Sequence, residues 1–145
     1  MKIKIVNKSN NESPNYATDK SAGMDIRAYI PDKNFIDIEP MSRHMIKTGL
    51  YMEIPEGYEA QIRPRSGLSI KSGITIINTP GTIDSDFRDE ICVLIINLGD
   101  KIFRINNGDR IAQMIINKFE KCEWEHVDII SETDRKGGFG HTGIK

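Results

Sequence analysis

Chemistry in this chain is most concentrated in Asn78-Thr79-Pro80-Gly81-Thr82-Ile83-Asp84-Ser85-Asp86-Phe87-Arg88. Asp84 follows apolar Ile83 and stands near an aromatic and an arginine, a setting that a plain solvated turn does not need. A carboxylate at the mouth of a stiff hairpin can orient a water and take its proton. The plainer alternative is a turn with acidic tips. Upstream, Pro64-Arg65-Ser66-Gly67-Leu68-Ser69 joins a guanidinium fork to a hydroxyl and a glycine N–H at a helix start, a set suited to phosphate oxygens. An N-cap serine beside a surface arginine would look the same. Asp25, in Ala22-Gly23-Met24-Asp25-Ile26, interrupts an apolar strand and either caps nearby backbone N–H groups or serves a site. Gln113 lies in Gly108-Asp109-Arg110-Ile111-Ala112-Gln113-Met114-Ile115, where Asp109 and Arg110 can form an ion pair and Gln113 can face a polar pocket. In the tail, Arg135-Lys136-Gly137-Gly138-Phe139-Gly140-His141-Thr142-Gly143, one aromatic stands among four glycines and basic residues. That composition suits either a frayed terminus or a lid that stacks on a flat ligand and brings cations to an anion.

These groups need a frame, and no helical period of useful length runs through the chain. Short β-branched segments recur instead: Ile3–Val6, Met24–Tyr29, Phe35–Ile38, Met45–Lys47, Leu50–Ile54, Tyr58–Arg63, Gly73–Ile77, Ile91–Ile96, Ile102–Ile105, Ile111–Phe119 and Trp124–Ile129. Turn signals such as Pro55-Glu56-Gly57 and Asn106-Asn107-Gly108-Asp109 separate them. This spacing predicts an all-β sandwich, jelly roll or barrel, with one short helix near Ser66–Ser72 and a Gly-rich C-terminal arm. The runs Ile74–Ile77 and Ile91–Ile96 read as the two legs of a hairpin around Asp84.

The chain, at 145 residues, fits one domain with its own core. Residues 1–134 make the barrel and 135–145 a flexible lid. A net charge of −1 and the lack of a Lys/Arg block argue against a nucleic-acid track or a membrane patch. No apolar run approaches the ~20 residues that span a bilayer, and Met1-Lys2-Ile3-Lys4-Ile5 alternates like a strand, unlike a signal peptide. Cys92 and Cys122 and the scattered His44, His126 and His141 have no metal-ligand spacing. Such cysteine usage suits a reducing cytoplasm.

Taken in order, the five segments that span residues 22–143 resemble the motifs of the dUTPase (dUTP diphosphatase) family. The resemblance implies a jelly-roll-like distorted β-barrel assembled as a homotrimer, with three subunits contributing to each active site. It implies hydrolysis of dUTP to dUMP and pyrophosphate, with Mg2+ carried on the triphosphate and no direct protein ligand. That reaction limits uracil incorporation into DNA and supplies dUMP for dTMP synthesis. Asp84 matches the acid that activates water against the α-phosphorus. Asn78, with the backbone of Gly81, Thr82 and Ile83, matches the uracil-reading hairpin. Arg65, Ser66, Gly67 and Gln113 match phosphate contacts, and Asp25 an acid that supports the metal's water shell or the site itself. Phe139 matches the lid aromatic over uracil, with Gly140 beside it, and Thr142 a tail contact to phosphate.

Two positions depart from the family pattern. Phe87 stands where a tyrosine ring usually packs under the sugar, so the ring is kept and the hydroxyl lost. The tail is one residue shorter between Arg135 and the glycine pair, so Arg135 or Lys136 reaches the γ-phosphate. A dCTP deaminase-type enzyme on the same fold, possibly bifunctional, and a non-catalytic trimeric nucleotide-binding regulator are the rival readings. The first would release ammonia from dCTP, and the second would show no turnover.

Overall fold

Alternation of covered and uncovered side chains decides most of the fold. In Ile91–Asn97 the residues Ile91, Val93, Ile95 and Asn97 are buried, while those between them are only partly covered. This is the period-2 signature of a strand with one face on a core. The computed structural model describes residues 1–135, 137 and 138. Among them it forms β1 (Lys4–Asn7), β2 (Met24–Arg27), β3 (Phe35–Ile38), β4 (Arg43–Glu53), β5 (Tyr58–Arg63), α1 (Ser66–Ser72), β6 (Ile74–Ile76), β7 (Gly81–Ile83), β8 (Ile91–Asn97), β9 (Phe103–Asn106) and β10 (Arg110–Lys118).

The strands join as β1-β4-β8-β6, β2-β10-β5-β7 and the ribbon β3-β9. Every pairing is antiparallel. Inward residues of all three, among them Ile26, Ile46, Ile62, Ile95, Ile105 and Met114, make one apolar cluster. Removing each such side chain from water contributes about 1.5–3 kcal/mol, so the sheets are held face to face by a nearly all-aliphatic interior. The result is the jelly-roll-like all-β fold that the turn spacing predicts.

Three local readings change. Met45–Lys47 and Leu50–Ile54 belong largely to a single strand, β4, whose register shifts between Lys47 and Leu50. Gly49 sits in that shift at φ 72°, where a Cβ would lie 2.7 Å from the Ser9 nitrogen. The legs Ile74–Ile76 and Ile91–Asn97 do pair, but the chain between them crosses to the other sheet and adds β7 beside β5. Finally, Trp124–Ile129 forms no strand, and Trp124 and Ile129 are 84% and 86% exposed.

Candidate active site

β7 is the edge strand of its sheet. Gly81, Thr82 and Ile83 lie opposite Ile62, Gln61 and Ala60 of β5, so the peptide groups on their other edge have no strand partner and remain available to a ligand. Asn78 stands over the start of this edge. Its Nδ2 lies 3.2 Å from where a Cβ on Gly81 would be, so a side chain there would push the amide away. The Thr79–Pro80 peptide between them is cis.

Asp84 follows directly, exposed, in a turn closed by the Phe87 N–H donating to the Asp84 carbonyl at 3.2 Å. Arg88 braces this turn from below, its Nη1 donating to the carbonyls of Ser85 at 2.7 Å and Phe87 at 2.9 Å. The sequence reading gave Arg88 no role. Its signal was position alone, an arginine four residues past the acid. Phe87 is 38% exposed, so it is not sealed in the core and part of it stays within reach of a ligand or a neighbouring molecule. Asp84 and Asp86 share an open depression with Glu53, Glu56, Arg88 and Lys121.

The second cluster gathers around α1. Arg65 is the N-cap of the helix and no side chain caps it, so Ser66 is not the N-cap that one reading allowed. The exposed Ser66 hydroxyl is thereby left for a ligand, as are the Ser66 and Gly67 N–H groups, since the helix's first backbone bonds are those from Leu68 and Ser69 to the Arg65 carbonyl. Arg65, Ser66, Gly67, Lys71 and Gln113 line one depression of about 340 Å³. Lys71, in the last turn of the helix, adds a cation that the motif reading missed.

Asp25 ties this cluster down. Its Oδ1 accepts from Arg65 Nε at 3.0 Å and its Oδ2 from Arg110 Nη1 at 3.1 Å. Arg65 Nη1 also donates to the Arg110 carbonyl at 3.1 Å. Asp25 therefore does not cap local backbone, and Arg110 does not pair with Asp109, whose Oδ2 accepts from the Asn106 N–H at 2.8 Å. Gln113 lies opposite Asp25 on one side and Arg63 on the other, and is exposed as a polar-pocket residue must be.

The two clusters line separate depressions. Arg135 is exposed, with its N–H donating to Thr133 Oγ1 at 3.3 Å. Lys136, Phe139, Gly140 and Thr142 lie outside the described residues. Among the described residues, no three His, Cys, Asp or Glu side chains converge as a metal cage, and no helix is long and apolar enough to cross a membrane.

Residues 9–143 match the dUTPase family as a whole. This chain belongs to the dUTPase family. It is 58% identical to the deoxyuridine 5'-triphosphate nucleotidohydrolase of Finegoldia magna over 99% of both chains. With the enzyme of that name from Rickettsia prowazekii it shares 52% identity, over 99% of this chain and 97% of the other. Among solved structures, the Staphylococcus bacteriophage 80alpha dUTPase with dUPNHPP superposes with a TM-score of 0.88 at 25% identity, covering 99% of each chain. Family membership and fold thus agree with the five-motif resemblance.

Proposed function

We propose that this member of the dUTPase family hydrolyses dUTP to dUMP and pyrophosphate, with Asp84 as the general base. The observation that carries the reading is the unpaired edge of β7 running directly into an exposed, braced carboxylate. Backbone N–H and C=O groups of Gly81–Ile83, with the Asn78 amide, can meet the hydrogen-bonding edge of uracil. Cytosine presents a donor amine where uracil presents an acceptor, and a mismatch of that kind discriminates strongly. With the base held there, Asp84 takes a proton from a water that attacks the α-phosphorus. The bond from that phosphorus to the α,β-bridging oxygen breaks, and pyrophosphate leaves with the electron pair.

Phosphates need cations, and the cluster of Arg65, Ser66, Gly67, Lys71 and Gln113 supplies them on a different part of the surface. That division supports a homotrimer in which one copy gives Asp84 and the base-reading edge and another gives the phosphate cradle. Mg2+ fits this arrangement as an ion brought on the triphosphate, since it retains waters and favours phosphate oxygens. Bound there, it offsets phosphate charge. Asp25, whose oxygens keep further lone pairs beside two guanidinium contacts, can accept from its water shell. The tail from Arg135, with Phe139, Gly140 and Thr142, closes the site as a lid. A cytoplasmic setting accords with Cys92 and Cys122 both being free thiols.

Single-turnover release of pyrophosphate from dUTP tests the proposal. Asp84→Asn should still bind nucleotide and lose on the order of 10²–10⁴ in rate. Wild-type turnover in that variant would remove Asp84 from the mechanism, and ammonia release from dCTP would replace the reaction.

A further inference from the structure

Beside the α1 depression one acid claims two guanidinium groups, for Asp25 takes both Arg65 and Arg110. Arg63 is held differently. Its Nε and Nη2 donate to Gln61 Oε1 at 3.1 and 2.6 Å, and Gln61 Nε2 donates to Glu59 Oε1 at 2.6 Å. Among the described residues Arg63 makes no ion pair, and its Nη1 meets no acceptor. Glu59 acts through the amide. Its charge polarises the Gln61 N–H and makes the carbonyl oxygen a stronger acceptor, yet it stays one amide away from the guanidinium. The cation is thus fixed without being neutralised.

The strand register says where that cation stands. Ala60 and Ile62 are buried, so Glu59, Gln61 and Arg63 project from the opposite, outer face of β5. Arg63 lies directly across from Gln113, and residues so paired share a face with Cβ atoms roughly 4.5–5.5 Å apart. Gln113 lines the α1 depression with Arg65, Ser66 and Lys71. The held guanidinium therefore adjoins the proposed phosphate cradle, immediately before Pro64. Ordering three long side chains on a half-solvated face costs rotamer entropy, which exposed hydrogen bonds offset only in part. What the ladder leaves in return is an oriented fork with its charge intact.

We propose that Arg63 binds the outer phosphates of the nucleotide, with Gln61 and Glu59 as its positioning residues. The inference rests on the reading that the α1 cluster takes the triphosphate, and adds a contact outside the five segments of the family resemblance. In that reading Asp84 of one copy addresses the α-phosphorus. The cradle brought by another copy, and Arg63 with it, then meets the β- and γ-phosphates that leave as pyrophosphate. A triphosphate carrying Mg2+ is still a net anion, and a guanidinium can meet two of its oxygens at once. Arg63 thereby favours a triphosphate over a monophosphate.

Titration calorimetry with Mg2+ and inorganic tripolyphosphate reads this contact without turnover. Arg63→Gln should bind tripolyphosphate about tenfold more weakly, raise KM for dUTP by a similar factor and lower kcat less. Its affinity for dUMP, which lacks the outer phosphates, should stay that of the wild type. Arg63→Lys should recover part of the loss at low salt, because it restores the charge without the fork. Gln61→Leu keeps the cation but unties it, so it should weaken tripolyphosphate by a smaller factor; it carries the comparison alone if the charge change unfolds the chain. Unchanged tripolyphosphate affinity and KM in Arg63→Gln, where the wild type hydrolyses dUTP, overturn the proposal and leave the hydrolysis reading intact. Equal weakening for dUMP and tripolyphosphate also overturns it, since the loss is then a general one. So does a lower mass by light scattering with tripolyphosphate binding intact, which would give Arg63 to an acid of another copy. A wild type that binds tripolyphosphate through Arg63 and leaves dUTP whole defeats the hydrolysis reading alone. A wild type that binds no tripolyphosphate defeats the cradle and the proposal together.

Discussion

Asp25→Asn separates a bracing role from a merely solvated acid. The carboxylate is 23% exposed and holds Arg65, itself 27% exposed, at 3.0 Å and Arg110, 52% exposed, at 3.1 Å. A charged hydrogen bond in a partly buried setting contributes about 1.5–3 kcal/mol, and an exposed ion pair about 0–1 kcal/mol. Taking the Arg65 contact at the low end of the first range and the Arg110 contact within the second gives about 2 kcal/mol. For a domain near this size that is a Tm lower by roughly 4–8 °C, measured at fixed protein concentration because assembly raises apparent stability. Kinetics supply the second readout. Once untied, Arg65 no longer meets the triphosphate pre-oriented, so KM for dUTP should rise about tenfold, equivalent to about 1.4 kcal/mol, with kcat falling less. An unchanged Tm with unchanged KM would refute the bracing argument. A fall in kcat alone would move Asp25 to the chemical step.

Further outcomes follow from other contacts. Arg104 donates to Asp37 through Nε and Nη2, both at 2.7 Å, and this hydrogen bonding holds the Asp37 carboxyl below its ordinary 3.8. The stabilisation is present above about pH 4 and is lost as pH falls through the lowered value. Asp37→Asn should therefore cost stability near neutrality, and chemical denaturation should show the gap to wild type closing in strong acid. Gly73→Ala should destabilise by roughly 2–4 kcal/mol, since Gly73 has φ 67° and its Cβ would lie 2.5 Å from the Gly99 nitrogen. Gly57→Ala, at φ 80° with nothing within 4 Å, should cost only the conformational term, about 1 kcal/mol, and equal losses would discredit the clash. Deleting residues 135–145 should spare thermal stability and nearly abolish turnover, and a truncated chain with full kcat would dispose of the lid.

What the sequence disclosed follows from the range of each interaction. The β-branched run Ile91–Ile96 is a local property, and it marked β8, which spans Ile91–Asn97, to within a residue, whereas its buried face could not be read from a run that is apolar throughout. The same signal misread Trp124–Ile129, because a short β-branched segment marks a chain able to be a strand but cannot supply the edge it must pair with. Side-chain partners were less legible still. An ion pair of Arg110 with its neighbour Asp109 was open from the sequence, but the turn's own Asn106 takes that carboxylate. The arginine then crosses to Asp25, 85 residues away in sequence. Ser66 was open to two readings, and the helix beginning one residue earlier than a serine cap requires removed one of them.

Charge explains why a site divided between copies would suit this chemistry. Asp84 shares its depression with Glu53, Glu56 and Asp86, against only Arg88 and Lys121. Arg88 is committed to the turn carbonyls, and Lys121 approaches Glu56 at 4.0 Å. A triphosphate placed there on one chain alone would meet a predominantly negative surface and gain little. The cations that would offset it, Lys71 and an Arg65 already shared with Asp25, line the separate depression by α1. On the proposed reading, the base-reading edge and the water-activating acid become productive only when another copy brings its phosphate cradle over them. Specific activity should then fall on dilution in parallel with the mass measured by light scattering. Activity that is constant per chain down to a proven monomer would show that one chain builds the whole site.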